Sequence, residues 1–144
     1  MLSDSEKKAV IPMLLEVPIF SSLDKKGLGS IVNSAAKKTY KEGTVIAKEG
    51  ETAYSFFLIL NGSVQVRRAN KVLAKLERGQ FFGEMALLDN KPRSADVIAM
   101  EETTCILLTS WGFSGAIASN PKIAQKILAE VVNRLRLSDQ ALSE

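Results

Sequence analysis

Along the chain the spacing of apolar residues changes twice, and the changes divide it into three zones. In the first, 3–36, Val10, Ile11, Leu14 and Leu15 fall on one side of a short helix that Ser3 or Asp4 can cap. Pro12 and Pro18 argue against one uninterrupted helix, because proline lacks a backbone donor and crowds the preceding turn. Asp24 can cap a second helix, in which Leu28, Ile31, Val32 and Ala35 form a buried stripe.

The second zone, 37–109, turns to short alternating runs. KEG at 41–43 and again at 48–50 punctuates TVIA as a strand between turns. Asn61-Gly62 reads as a two-residue hairpin turn between FFLIL and SVQVR, since both central positions of such a turn favour positive φ. VLAKL, RSADVIA and TTCILL are further strands, with GEMALL as one or two helical turns among them. In the third zone Ser110 caps a short helix and Asn120-Pro121 opens a long one. Ile123, Ile127, Val131 and Leu135 line one side of it, widened by Ala124, Leu128 and Val132. The pattern predicts a single domain over 1–144 that is mainly β. It reads as an antiparallel roll, jelly-roll-like, or a barrel over 37–109, flanked by helices over 3–36 and 110–139, with a short helix among the strands.

Composition narrows the chemistry. At 144 residues and 46% hydrophobic content the chain can bury a core without staples. It has no histidine, which removes a His base and imidazole metal ligation. A single cysteine, Cys105 in TTCILL, excludes an internal disulfide or a cysteine-held cluster and reads as a buried structural thiol. No apolar run approaches the roughly 20 residues of a membrane helix. The N-terminus lacks the order of a signal peptide, so a cytoplasmic protein is expected. A net charge of +3 suits an anionic ligand but is too weak to imply nucleic acid. The basic stretch 67–78, RRANKVLAKLER, reads as a solvated hairpin.

One segment resists that bland reading. FFGEMALLDNKPRSADV, 81–97, sets Glu84 and Arg93 nine residues apart inside a half-apolar run, where unpaired charges are costly. A helical turn beginning at Gly83 offers free backbone N–H groups, and glycine lets another group approach them closely. Pro92 ends the loop and Arg93 starts the next strand, its planar fork suited to two phosphate oxygens, with Ser94 adding a hydroxyl. Glu84 is an acceptor only, wrong for phosphate and right for a ribose hydroxyl. Phosphate and ribose in one short stretch point to a nucleotide. The plainer reading has Glu84 complementing the helix dipole and pairing with Arg93.

These residues resemble the cyclic nucleotide-binding domains. FFGEMALLDNKPRSADV is similar to their phosphate-binding cassette, with the Gly83-Glu84 to Pro92-Arg93 spacing of bacterial cyclic-nucleotide-gated potassium channels. LLEVPIFSSL, the KEG turns, NGSVQV and the final helix follow the family's order over roughly 15–138. The resemblance implies a β-roll in which Glu84 meets the ribose 2′-OH and Arg93 the exocyclic phosphate oxygens. Backbone N–H groups of Gly83, Met85 and Ala86, with Ser94, would complete the phosphate seat. Val64 and Val66 would pack on the purine, and Arg134 of the last helix would approach the base. Asp96 departs from the family pattern, and strand alternation places it opposite Arg93 and Ala95, away from the pocket.

The expected ligand is cAMP, with cGMP next, and no cofactor or metal is implied. The expected mechanism is a switch in which the ligand orders the cassette and the last helix folds over the purine. Too little chain follows that helix for a DNA-reading module, and no membrane segment precedes the roll. A stand-alone sensor or a fragment is therefore expected, acting through a protein partner or a homodimer along the last helix. The alternatives are a roll that has lost its ligand and serves as an interaction module, and a cupin-like enzyme, which the absence of histidine disfavours.

Overall fold

The computed structural model describes residues 2–143 apart from 85, with the side chains of 134 and 138–143 outside the description. Helix α1 spans Asp4–Leu15 and begins in a capping box, the Ser3 hydroxyl accepting from the Glu6 N–H while Glu6 accepts from the Ser3 N–H. It runs on through Pro12, against expectation. An interior proline costs about 3 kcal/mol. Val10 and Leu14, on either side of it, are buried to 1% and 2% exposure, and each buried side chain returns about 1.5–3 kcal/mol. Pro18 does interrupt, starting a 3-10 turn over Pro18–Phe20. Helix α2, Lys25–Asn33, is capped by Asp24, and Leu28, Ile31 and Val32 are buried as the stripe predicts.

Eight strands follow: β1 Ala36–Tyr40, β2 Val45–Ala47, β3 Ser55–Asn61, β4 Ser63–Arg68, β5 Lys71–Glu77, β6 Phe81–Phe82, β7 Asp96–Ala99 and β8 Thr103–Thr109. They form two antiparallel four-stranded sheets, β1-β8-β3-β6 and β2-β7-β4-β5. The short helix α3, Ala86–Asp89, lies between β6 and β7. Helices α4, Ser110–Ser119, and α5, Lys122–Ser143, close the chain. Thr109 rather than Ser110 caps α4, its hydroxyl accepting from the Gly112 N–H at 3.1 Å.

The Asn61-Gly62 hairpin is not present. β3 and β4 belong to different sheets, so this pair is the corner where the chain crosses between them. Gly62 alone of the two has positive φ, +97°. A Cβ there would lie 2.5 Å from Thr103 Oγ1 and 2.6 Å from the Glu102 carbonyl. The glycine is needed for close approach of two backbones rather than for a hairpin. The two-residue turn sits instead at Ala69-Asn70, φ 50° and 66°, joining β4 to β5 in the solvated hairpin expected of 67–78.

FFLIL is apolar throughout because β3 is covered on both faces. Phe56 and Leu58 pack with the helices, while Phe57 and Ile59 point between the sheets. On β8, Ile106 and Leu108 face the helices and Cys105 the interior. Cys105 is fully buried, and burial pushes its thiol up to about 12, so it stays protonated. On α5 the predicted face divides. Ile123 and Ile127 are buried and Val131 half-buried, whereas Leu128, Val132 and Leu135 are 64%, 40% and 62% exposed. The helix meets the 3-10 turn and α4. No described helix is long and apolar enough to cross a membrane.

Candidate functional site

A cavity of about 240 Å³ opens beside α3. Val66, Phe82 and Val97 form its apolar wall, and Gly83, Arg93 and Ser94 contribute the polar side. Arg93 is seated by its backbone. Its N–H donates to the Glu51 carbonyl at 2.7 Å, and its carbonyl accepts from the Gly50 N–H at 2.9 Å. Thr52 bridges Pro92, so the 50–53 segment holds 91–93 as a short antiparallel pair. With its nitrogen turned inward, the Asn90 amide donates to the Ala53 carbonyl at 3.2 Å and the Ala86 carbonyl at 2.8 Å, which ties α3 to the same segment.

The Arg93 guanidinium is half-buried against neutral groups. Nη2 donates to the Ser55 carbonyl at 2.8 Å, and Cζ lies 5.6 Å from the centre of the Phe57 ring. A Cβ on Gly83 would run into Nη1 and lie 2.8 Å from the Ser55 carbonyl, so the glycine, at φ +79°, makes the room. Burial draws the Arg93 pKa below the ordinary guanidinium value. Among the described residues, ion pairs within 4 Å join Lys37 to Glu6 and Arg68 to Glu49, and none involves Arg93. Glu84 therefore does not neutralise it. A desolvated cation with no described carboxylate within 4 Å, facing a cavity, is equipped to receive an anion.

The remaining expected residues divide. Val66 lines the cavity. Val64, two positions earlier on the same face of β4, has 0% exposure and packs between the sheets. It therefore shows no free surface to the cavity, unlike the purine contact expected of it. Glu84 is half-buried but lies off the described wall. Ala86 is on the wall, yet its N–H already donates to the Gly83 carbonyl at 3.1 Å. Met85 and the side chain of Arg134 lie outside the described residues. No described α5 residue lines this cavity. Asp96 points away from it, Oδ1 accepting from the Glu49 N–H at 2.7 Å, as alternation predicts.

Sequence reasoning missed Phe82, Ala95 and Val97, and also Ala53, Asp89 and Lys91. Ala95 and Val97 were within reach, since they share the period-two face of Arg93. Ala53 arrives through the 50–53 pairing, for which the sequence carries no local signal.

Comparison with known proteins identifies the family and the fold. Residues 37–120 match the family model of the cyclic nucleotide-binding domain. The chain is 38% identical over 102 residues to a cAMP-dependent protein kinase regulatory subunit of Debaryomyces hansenii, covering 70% of this chain and 23% of that protein. It is 37% identical over 113 residues to a cyclic nucleotide-gated potassium channel of Mesorhizobium japonicum, covering 78% of this chain and 31% of the channel. It therefore spans less than a third of either relative. The fold matches the crystal structure of the N-terminal domain of a transcriptional regulator from Streptomyces coelicolor at a TM-score of 0.84 and 24% identity, covering 90% of this chain and 94% of that one.

Proposed function

The chain belongs to the cyclic nucleotide-binding domain family, and from that membership we propose that it binds cAMP, with cGMP next, in the cavity beside α3 and signals through α5. The observation that carries the reading is Arg93: half-buried, without a described carboxylate within 4 Å, and exposed to the cavity. Its guanidinium has five N–H donors and gives one to Ser55, leaving donors for two phosphate oxygens. Ser94 adds a hydroxyl, and Val66, Phe82 and Val97 supply an apolar surface for the purine. Glu84, an acceptor only, is assigned to the ribose 2′-OH. The name of the Debaryomyces relative, a cAMP-dependent regulatory subunit, supports cAMP over cGMP.

Signalling through α5 is supported by a second, apolar cavity of about 250 Å³. Leu88 of α3, Phe113 and Ile117 of α4, and Ile127 and Leu128 of α5 all line it. A ligand that orders α3 repacks this space and so biases α5, to the extent that it binds one arrangement better than the other. Leu128, Val132 and Leu135 then supply the surface for a protein partner or a second copy. We read the domain as a cytoplasmic binding module rather than an enzyme.

Calorimetric titration of wild type and Arg93→Leu with cAMP and cGMP tests the proposal. Wild type binds, and the variant loses about 2–4 kcal/mol, the cost of removing charge-assisted bonds in a partly desolvated site. Equal affinity in the two proteins refutes the role of Arg93. A wild type that binds neither nucleotide at high micromolar concentration favours the interaction module.

A further inference from the structure

We propose that Phe57 is the positioning residue for Arg93: with Phe82 behind it, it forms a neutral aromatic platform that aims the guanidinium at the cavity without cancelling its charge. For ligand binding this rests on the functional reading above, whereas the positioning itself does not.

The described interactions of the guanidinium are with the Ser55 carbonyl and the Phe57 ring, and Gly83 leaves the room that a Cβ would take from it. All are neutral. A carboxylate in the same place would also orient the arginine, but it would compete with an incoming phosphate for the same N–H groups. An aromatic face attracts a cation through its quadrupole at separations within about 6 Å and accepts no N–H in the plane of the fork. The 5.6 Å separation falls inside that range.

The platform is itself held rigidly. Phe57 and Phe82 are direct partners across β3 and β6, and their rings stack at 4.7 Å and 11°. Phe82 continues into the cavity wall, immediately before Gly83. One aromatic pair thus forms both the apolar wall and the support of the arginine. Phe57 is only 5% exposed, so it acts through Arg93 rather than touching the ligand.

Because Phe57 also packs in the core between the sheets, the test must separate positioning from packing. Phe57→Leu removes the ring, Phe57→Tyr keeps it, and Ile59→Val disturbs the same core at a position on the far side of Leu58. Thermal unfolding first establishes that each variant is folded at the working temperature. Two readouts follow. In the ligand-free protein, the Arg93 Nε–Hε resonance is displaced by the Phe57 ring current. Phe57→Leu abolishes the displacement, while Phe57→Tyr and Ile59→Val preserve it. In cAMP titrations Phe57→Leu weakens binding roughly threefold to thirtyfold, the range of a partly desolvated cation–π contact, and the other two variants stay near wild type. An Arg93 resonance and an affinity both unchanged in Phe57→Leu overturn the proposal, as does an equal loss in Ile59→Val. If the resonance moves as expected but wild type binds no cyclic nucleotide, the functional reading fails and the positioning role stands.

Discussion

Gly83 makes the most specific demand of any residue in the site. Its φ of +79° and the crowding by Arg93 Nη1 and the Ser55 carbonyl leave no place for a side chain. Gly83→Ala is expected to cost about 1–3 kcal/mol in stability through backbone strain. It is also expected to weaken cyclic nucleotide binding at least about tenfold, since Arg93 must leave its seat to admit the methyl group. Chemical denaturation and titration measure the two effects separately, and an unchanged affinity would show that the seat of Arg93 tolerates the shift. Glycine at 83 and arginine at 93 were both legible as a chemical pair. The carbonyl and ring that hold the arginine were not, because Ser55 and Phe57 lie about 40 positions earlier in the chain and meet it only through β3.

Between elements, one contact joins the N-terminal helices to the roll through charge. Glu6 of α1 pairs with Lys37 of β1. The bond from Lys37, with the Ser3 N–H second, holds the Glu6 carboxyl at about 2 instead of 4.5. A carboxyl depressed on folding contributes stability that is fully present above its unfolded value and lost as pH falls through its folded one. Thermal unfolding is therefore expected to shift downward between pH 4.5 and about 2, and Glu6→Gln to flatten that part of the profile. The pair is partly exposed and solvent screens it, so the contribution is small. A profile identical in the variant would assign the acid sensitivity to other carboxylates. Most element identities were readable from period and punctuation, but the linkage between elements was read wrongly at Asn61-Gly62. An Asn-Gly pair reports a tight reversal, and a sheet-crossing corner satisfies the same local chemistry as a hairpin.

In the whole molecule the sensor reading requires that ligand bound beside α3 be felt at α5. Hydrogen exchange tests this directly. Saturating cAMP is expected to slow amide exchange across 83–95 and to change it along Lys122–Ser143. Slowing confined to 83–95 would limit the ligand's effect to its own loop and remove α5 from the mechanism. Leu128, Val132 and Leu135 illustrate why the answer is not legible in the sequence: helical spacing marks a residue as apolar-faced, and whether a neighbour covers that face depends on where the helix lands.

By itself, the amino-acid sequence determined the three zones, the short strands between turns, the buried thiol and the Gly83–Arg93 stretch. Each of these follows from the spacing and chemistry of residues close together in the chain. Tertiary structure alone decided which sheet each strand joins, that Val64 is core and Val66 is wall, that Arg93 rests on Phe57 and Ser55, and that half of the α5 stripe stays uncovered. The physical reason is the same in each case: a periodic pattern records which side of an element avoids water, while the group that covers that side comes from a distant part of the chain.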